Sequence, residues 1–311
     1  MWRRGVTRKI VLAAGLAMVA LLWAYAAAQT TPAAGQGDTR AERMENERDN
    51  LELQLVPPFK AFDNLYYVGV GWVGSWLLTT ADGLILIDAL DRPAHVDHLL
   101  DGVRMLGFDP RNIKYVIVTQ AHGDHYAGAA RIQREFGAQV AMGEGDWTAV
   151  EATPIGQGGA NGSETPGRDI VLEDGQMLTL GTTTLRFWST PGHTPGTTSV
   201  DFTVFDNGQP HRAFLLGGGA PARGVPAAEQ FLESMEKVEK LQDGVQVRIV
   251  NHPWMDPQFW DRMDRLRART VGEPNPLVDG QAFRSWIQGV KASGEKASDA
   301  ARASAGAAPA P

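Results

Sequence analysis

The run IKYVIVT, Ile113 to Thr119, constrains the fold more than any other stretch of this chain. It is an apolar run of strand length, which is the pattern of a central strand buried on both faces. The next residues have the opposite character. QAHGDH brings Gln120, His122, Asp124 and His125 within six positions, and Gly128 opens the way to a helix. Side chains that bind metals or move protons, placed where a buried strand surfaces, belong in a cleft at the edge of a sheet. A tight loop lets ligands two apart share a side, while the neighbours Asp124 and His125 diverge to serve a second position. Gly123 adds no bulk between them.

The surrounding pattern supplies the layers such a strand needs. LYYVGVG, SWLLTT and LILIDAL are short strand-like runs broken by Gly and by the turn signal Ala81-Asp82-Gly83. RPAHVDHLLDGVRMLG and AGAARIQREFG have helical spacing and end on Gly107 and Gly137. QVAM, MLTL and TLRFWST return to strand, and TSVDFTVFDNGQPHRAFLLGG predicts a hairpin turning at Asp206-Asn207-Gly208. The helix PAAEQFLESMEKVEKL, the strand VRIVN and the helix DPQFWDRMDRLRAR complete an α/β layered pattern.

Two more strand ends carry histidine. STPGHTPGTTS sets His193 in a Pro/Gly-rich loop, and VRIVNHPW sets His252 directly after a buried strand. His95 and His98 lie on an expected helix and His211 in the hairpin, where a histidine packs or is solvated without binding anything.

The ends of the chain read differently. Arg3, Arg4, Arg8 and Lys9 precede about fourteen mostly apolar residues and then AYAAAQ. This is the layout of a cleaved export signal over residues 1–28, and the apolar run is shorter than a membrane span prefers. Cleavage there removes four positive charges and takes the net charge from −7 to −11. So acidic a product is a poor partner for nucleic acid or an anionic membrane. There is no cysteine, which excludes disulfides and thiol catalysis. A polar linker with a short surface helix at its end is expected over 29–50, a single large domain over 51–290, and a disordered Ala/Ser/Gly/Pro tail over 291–311.

QAHGDH, TPGHTPGTTS and NHPW, in this order, resemble the metal-binding motifs of the metallo-β-lactamase superfamily, and LILIDAL resembles its N-terminal half. The likeness covers nearly all of the expected domain. It implies a four-layer αββα sandwich with one or two Zn2+ ions at one edge. Gln120, His122 and His193 would hold the first; Asp124, His125 and His252 would hold the second and carry the catalysis. Asp88 matches an aspartate that buttresses the metal loop, or else simply caps its turn.

Two departures from the family pattern refine this. Gln120 stands where the family usually has histidine, as in a minority branch of subclass B3 β-lactamases; its amide oxygen is a weaker donor, so the second position should fill first. Glyoxalase-II-like thioesterases and phosphodiesterases also place a bridging acid where this chain reads AFLLGGGAPARG, Ala213 to Gly224, with no carboxylate. β-Lactamases of the superfamily lack that acid too.

The resemblance therefore implies a periplasmic or secreted zinc hydrolase that opens β-lactam rings by attack of metal-bound hydroxide. Its partner would be a small molecule with a cyclic amide or ester, not nucleic acid or membrane. The alternatives are hydrolysis of a lactone or another ester or amide, and a zinc-binding protein whose site has decayed. Arg223, Trp72, Trp76 and Tyr126 are candidate substrate contacts, set against plain solvation or packing.

Overall fold

The computed structural model describes residues 40–152 and 164–306, so the expected signal segment lies outside the described residues. Two short helices, α1 (Arg40–Asn46) and α2 (Leu51–Gln54), precede β1 (Phe59–Phe62), β2 (Leu65–Tyr67), β3 (Trp76–Thr80) and β4 (Gly83–Ile87). Then come α3 (Pro93–Met105), β5 (Ile113–Ile117), α4 (Gly123–Tyr126), α5 (Ala129–Phe136), β6 (Gln139–Gly143), α6 (Glu144–Glu151) and β7 (Ile170–Leu172). The second half has β8 (Met177–Leu180), β9 (Thr183–Ser189), β10 (Thr198–Asp206), β11 (Gln209–Leu215), α7 (Val225–Leu241), β12 (Val245–Ile249), α8 (Phe259–Ala268) and α9 (Gly280–Gly306).

The strands form two sheets. One has seven strands in the order β1-β2-β3-β4-β5-β6-β7; the other has five in the order β12-β11-β10-β9-β8. In the first, β1 to β4 run antiparallel and β4 to β7 parallel, joined by helical crossovers. The IKYVIVT run is a central strand of that sheet, with Val116 and Ile117 fully buried. The expected hairpin is β10/β11, in register from Val200↔Leu215 to Asp206↔Gln209, and Asn207 takes the left-handed conformation (φ 51°) its turn requires.

Burial explains the layers. Ala213 and Leu215 of β11 join the main core with Ile85, Val116 and Val140 of the other sheet. Phe214, between them, points to the opposite face and packs with Phe231 and Met235 of α7 and Phe283 and Ile287 of α9. The result is an αββα sandwich, in which β5, β9 and β12 all end near one edge.

Both expected chain ends need correction. The described part of the supposed 29–50 linker has the short helix expected at its end, Arg40–Asn46, but not as a surface one: Ala41 and Met44 are buried in the main core. The supposed disordered tail is helical as far as Gly306. Its small residues are what let it dock: a Cβ on Gly294 would come within 2.8 Å of the Phe231 ring, so α9 approaches α7 closely there. Lys291–Glu239 (2.7 Å) and Arg302–Glu229 (2.9 Å) ion pairs flank that contact. Alanine's helix preference and close packing replace the bulky apolar side chains the tail lacks. Among the described residues, no helix is long and apolar enough to cross a membrane.

Candidate metal centre

The loop after β5 is held from below by Asp88. This residue follows β4 and sits at φ 62°, a strained conformation for a residue other than glycine. Three contacts hold it there. Asp88 Oδ1 accepts from the Thr119 N–H and Oδ2 from the Thr119 hydroxyl, each at 2.8 Å, and Oδ2 also meets His125 Nδ1 at 2.8 Å. Asp88 therefore buttresses the loop, and its carboxylate fixes His125 with Nδ1 protonated and the Nε2 lone pair turned towards the cleft.

Each of the other two ligand loops fixes its histidine in the same sense. His252 Nδ1 faces the Trp72 carbonyl at 3.1 Å, and His193 Nδ1 donates to the Ala220 carbonyl at 2.6 Å. His122 is the N-cap residue of α4 and makes an edge-on contact with His193, ring centroids 4.8 Å apart.

Asp124, His125 and His252 form a tight group whose ligand atoms lie within 4.8 Å of one another. Asp124 Oδ2 is 3.3 Å from His125 Nε2 and 3.2 Å from His252 Nε2, and the two Nε2 atoms are 3.1 Å apart. Such crowding of lone pairs and a carboxylate calls for a cation. Burial works against charge on His125, but Asp124 and Asp88 outweigh it and raise its pKa to about 10. Burial likewise opposes the Asp124 charge, yet His125 and His252 hold that carboxyl well below the usual range. The pocket thus stabilises positive charge. A divalent ion, coordinated by the same Nε2 and carboxylate atoms, fits it better than a proton does.

The second group is weaker in charge. Burial lowers the pKa of His122 and takes that of His193 to about 4, so both rings are neutral donors at neutral pH. Gln120 is buried against the triad. Its amide nitrogen faces His125 Nε2 at 2.7 Å, which is not the grouping expected with His122 and His193, while its Oε1 is buried with no hydrogen-bond partner. An orphaned buried acceptor is a fit for a cation, though a poorer one than the triad's charged set.

Of the other candidates, Trp72 alone touches the ligands, its ring 5.6 Å from that of His252. Trp76 is core, with Nε1 donating to the Val250 carbonyl at 2.9 Å. Tyr126 is buried in the core and Arg223 is exposed. His95 is buried against Asp91, His98 Nε2 meets the Val56 carbonyl at 2.8 Å, and His211 lies on β11, as their sequence setting implies.

Two supporting residues escaped the sequence reading. Asp146 of α6 is fully buried and ties the Gln120–His125 loop to the His193 loop: Oδ1 accepts from Gly196 N–H at 2.7 Å, Oδ2 from the Thr194 hydroxyl at 2.8 Å, and the Ala121 N–H also donates to it. Burial raises its pKa to about 6. Asn251 donates to the Gly217 carbonyl at 2.9 Å, joining the glycine run to the His252 loop. Asp146 carries a faint signal, an acid embedded among GDW after a strand; Asn251 carries none beyond its place beside His252.

The glycine run is itself a wall of the site. A Cβ on Gly218 would lie 2.4 Å from the His193 side chain, and one on Gly217 would lie 2.3 Å from the Thr198 carbonyl. No carboxylate can be carried at either position without moving His193 or β10.

Comparison with known proteins agrees with this fold. Residues 69–206 match the Metallo-beta-lactamase superfamily. A subclass B3 metallo-beta-lactamase of Bradyrhizobium japonicum superposes with a TM-score of 0.70 at 28% identity, covering 80% of this chain and 96% of the other. The native metallo-beta-lactamase of Legionella gormanii gives 0.68 at 26% identity, covering 79% and 97%. By sequence, a hydroxyacylglutathione hydrolase of Acidiphilium cryptum is 28% identical over 54% of this chain and 59% of its own length, and one of Methylococcus capsulatus 29% over 48% and 52%. The chain thus spans little more than half the length of these curated relatives. It carries a metallo-beta-lactamase superfamily domain, folded as in the subclass B3 enzymes.

Proposed function

We propose that this protein is an exported zinc hydrolase that opens β-lactam rings. The observation that carries the reading is the Asp124, His125 and His252 triad, in which both imidazoles are turned by their Nδ1 partners to present Nε2 beside one carboxylate oxygen. A mixed nitrogen and carboxylate set of this kind suits zinc. A zinc ion held there supplies Lewis acidity, acidifying water and polarising a carbonyl.

The chain's own groups do the rest. Asp124 Oδ2 stands where it can orient a water and carry its proton towards a leaving nitrogen. Asp88 and the Trp72 carbonyl keep the His125 and His252 rings from turning. Gln120, with Oε1 free, joins His122 and His193 as the weaker set, so the triad fills first and works with one ion. Export rests on the first 28 residues and places the protein in the periplasm or outside the cell.

A second reading, thioester hydrolysis, is favoured by the curated relatives named for hydroxyacylglutathione. The glycine wall argues against it, since the bridging acid of such enzymes has no room at Gly217 or Gly218. Zinc-loaded protein assayed with a chromogenic cephalosporin, an acyl-homoserine lactone and a hydroxyacylglutathione decides the matter. We expect turnover of the cephalosporin; turnover of only the lactone or the thioester overturns the proposal, and zinc uptake with no turnover marks a decayed site.

A further inference from the structure

The loop that carries His252 is closed at its base by a buried charge pair. Strand alternation turns Val247 and Ile249 of β12 into the main core and Arg248 to the opposite face, beside Phe214 of β11, where α9 covers the sheet. A guanidinium there is out of water, and burial lowers its pKa. Two groups receive it. The Trp286 ring of α9 lies 5.3 Å from its central carbon, and a terminal nitrogen meets Asp256 Oδ2. Asp256 comes from the far side of the loop: it stands four residues after His252, as Arg248 stands four before. The two side chains are only 9% and 8% exposed.

Asp256 does more than neutralise Arg248. Its Oδ1 accepts from the Gln258 N–H at 3.1 Å and its carbonyl from the Phe259 N–H at 2.7 Å, which fixes the start of α8. Arg262 of α8 brings its Nε to 3.5 Å from the same Oδ2. Between the paired ends, Met255 N–H donates to the His252 carbonyl and Asp256 N–H to the Pro253 carbonyl, each at 3.0 Å, so the turn has little slack. The Trp72 carbonyl orients the His252 ring from 3.1 Å, but that contact holds only while the loop keeps its place.

A buried ion pair is a weak source of stability, yet removing one partner leaves a buried charge and forces the chain around it to rearrange. Here the chain around it is the His252 loop. We propose that Arg248 and Asp256 are positioning residues of the metal centre, whose buried ion pair, covered by Trp286, closes the His252 loop and holds its imidazole beside Asp124 and His125. This rests on the triad as a metal site and not on the choice of substrate. It also gives α9 a part in the centre, through Trp286.

The test compares full-chain wild type, Arg248→Met and Trp286→Ala by chelator competition for zinc. Arg248→Met should weaken the tighter zinc by about 10–100-fold, the usual cost of losing a partner behind a ligand. Trp286→Ala should act in the same direction, and the double variant should lose no more than Arg248→Met alone, since both act through one pair. Met235→Ala loosens the same helical layer through α7, and should lower the urea midpoint while leaving zinc affinity unchanged. Unchanged affinity in Arg248→Met, additive losses in the double variant, or an equal loss in Met235→Ala overturns the proposal. If Arg248→Met does not fold, Asp256→Asn keeps the shape of the loop acid and gives the same readout. If wild type takes up no zinc, the metal reading fails, and the imidazole nitrogen NMR signals of His252 decide. A ring held with Nδ1 protonated in wild type, but averaged between tautomers in Arg248→Met, upholds the proposal; identical spectra overturn it.

Discussion

Asp146→Ala probes whether one buried carboxylate holds two of the ligand loops. The substitution removes the acceptor for the Gly196 and Ala121 N–H groups and for the Thr194 hydroxyl, which keeps a second partner in Thr197 Oγ1 at 2.6 Å. Two orphaned buried N–H groups cost about 1–3 kcal/mol each. Against this stands relief from burying a charge. The rise of the Asp146 pKa from 3.8 to about 6 means that the folded state binds more protons than the unfolded state between those values. Stability from this group is therefore greatest at acid pH and falls as pH rises through about 6, by about 3 kcal/mol in all. The alanine variant escapes that loss. Its net destabilisation should be small, about 1 kcal/mol, at pH 7.5, and larger by about 1–2 kcal/mol at pH 5. Urea unfolding of chelator-treated wild type and variant at both pH values measures the difference without a metal contribution. A penalty that is equal at the two pH values, or greater at pH 7.5, refutes the reasoning.

The same geometry has further consequences for the ligands. Gln120→His should raise zinc content towards two per chain by elemental analysis, because an imidazole replaces a neutral amide; unchanged content would remove Gln120 from the ligand set. Asp124→Asn should strip the tighter metal and abolish hydrolysis, read by chelator competition and rate together. Asp88→Ala should weaken metal affinity by about 10–100-fold through loss of the His125 partner, with variants compared in a competition titration. Gly218→Ala should displace His193 and lower occupancy of the weaker position while sparing the triad, which stepwise zinc titration resolves.

Much of the candidate centre was legible in the sequence because its proposed ligands are local to strand ends. QAHGDH, GHTPG and NHPW each announce themselves by polar residues after an apolar run, and a strand end in a layered α/β protein has one place to go. The features that were not legible depend on partners far away in sequence. Gln120 stands beside His122 in the chain, but its amide turns to His125, a choice set by burial and not by spacing. Asp146 is an unremarkable acid until α6 is seen lying across the Thr194 loop. Arg40 to Asn46 reads as a surface helix of a linker because its two buried apolar residues, Ala41 and Met44, are too few to outweigh its charge.

The amino-acid sequence by itself determined the order of strands and helices, the three ligand loops and the absence of a bridging acid, since each depends on side-chain type and short-range periodicity. The tertiary structure alone decided which nitrogen of each histidine faces the cleft, which carboxylates stand behind them, and that α1 packs on the turn just after His252. Those are contacts between residues distant in the chain, and only packing of the two sheets brings their atoms within hydrogen-bonding range.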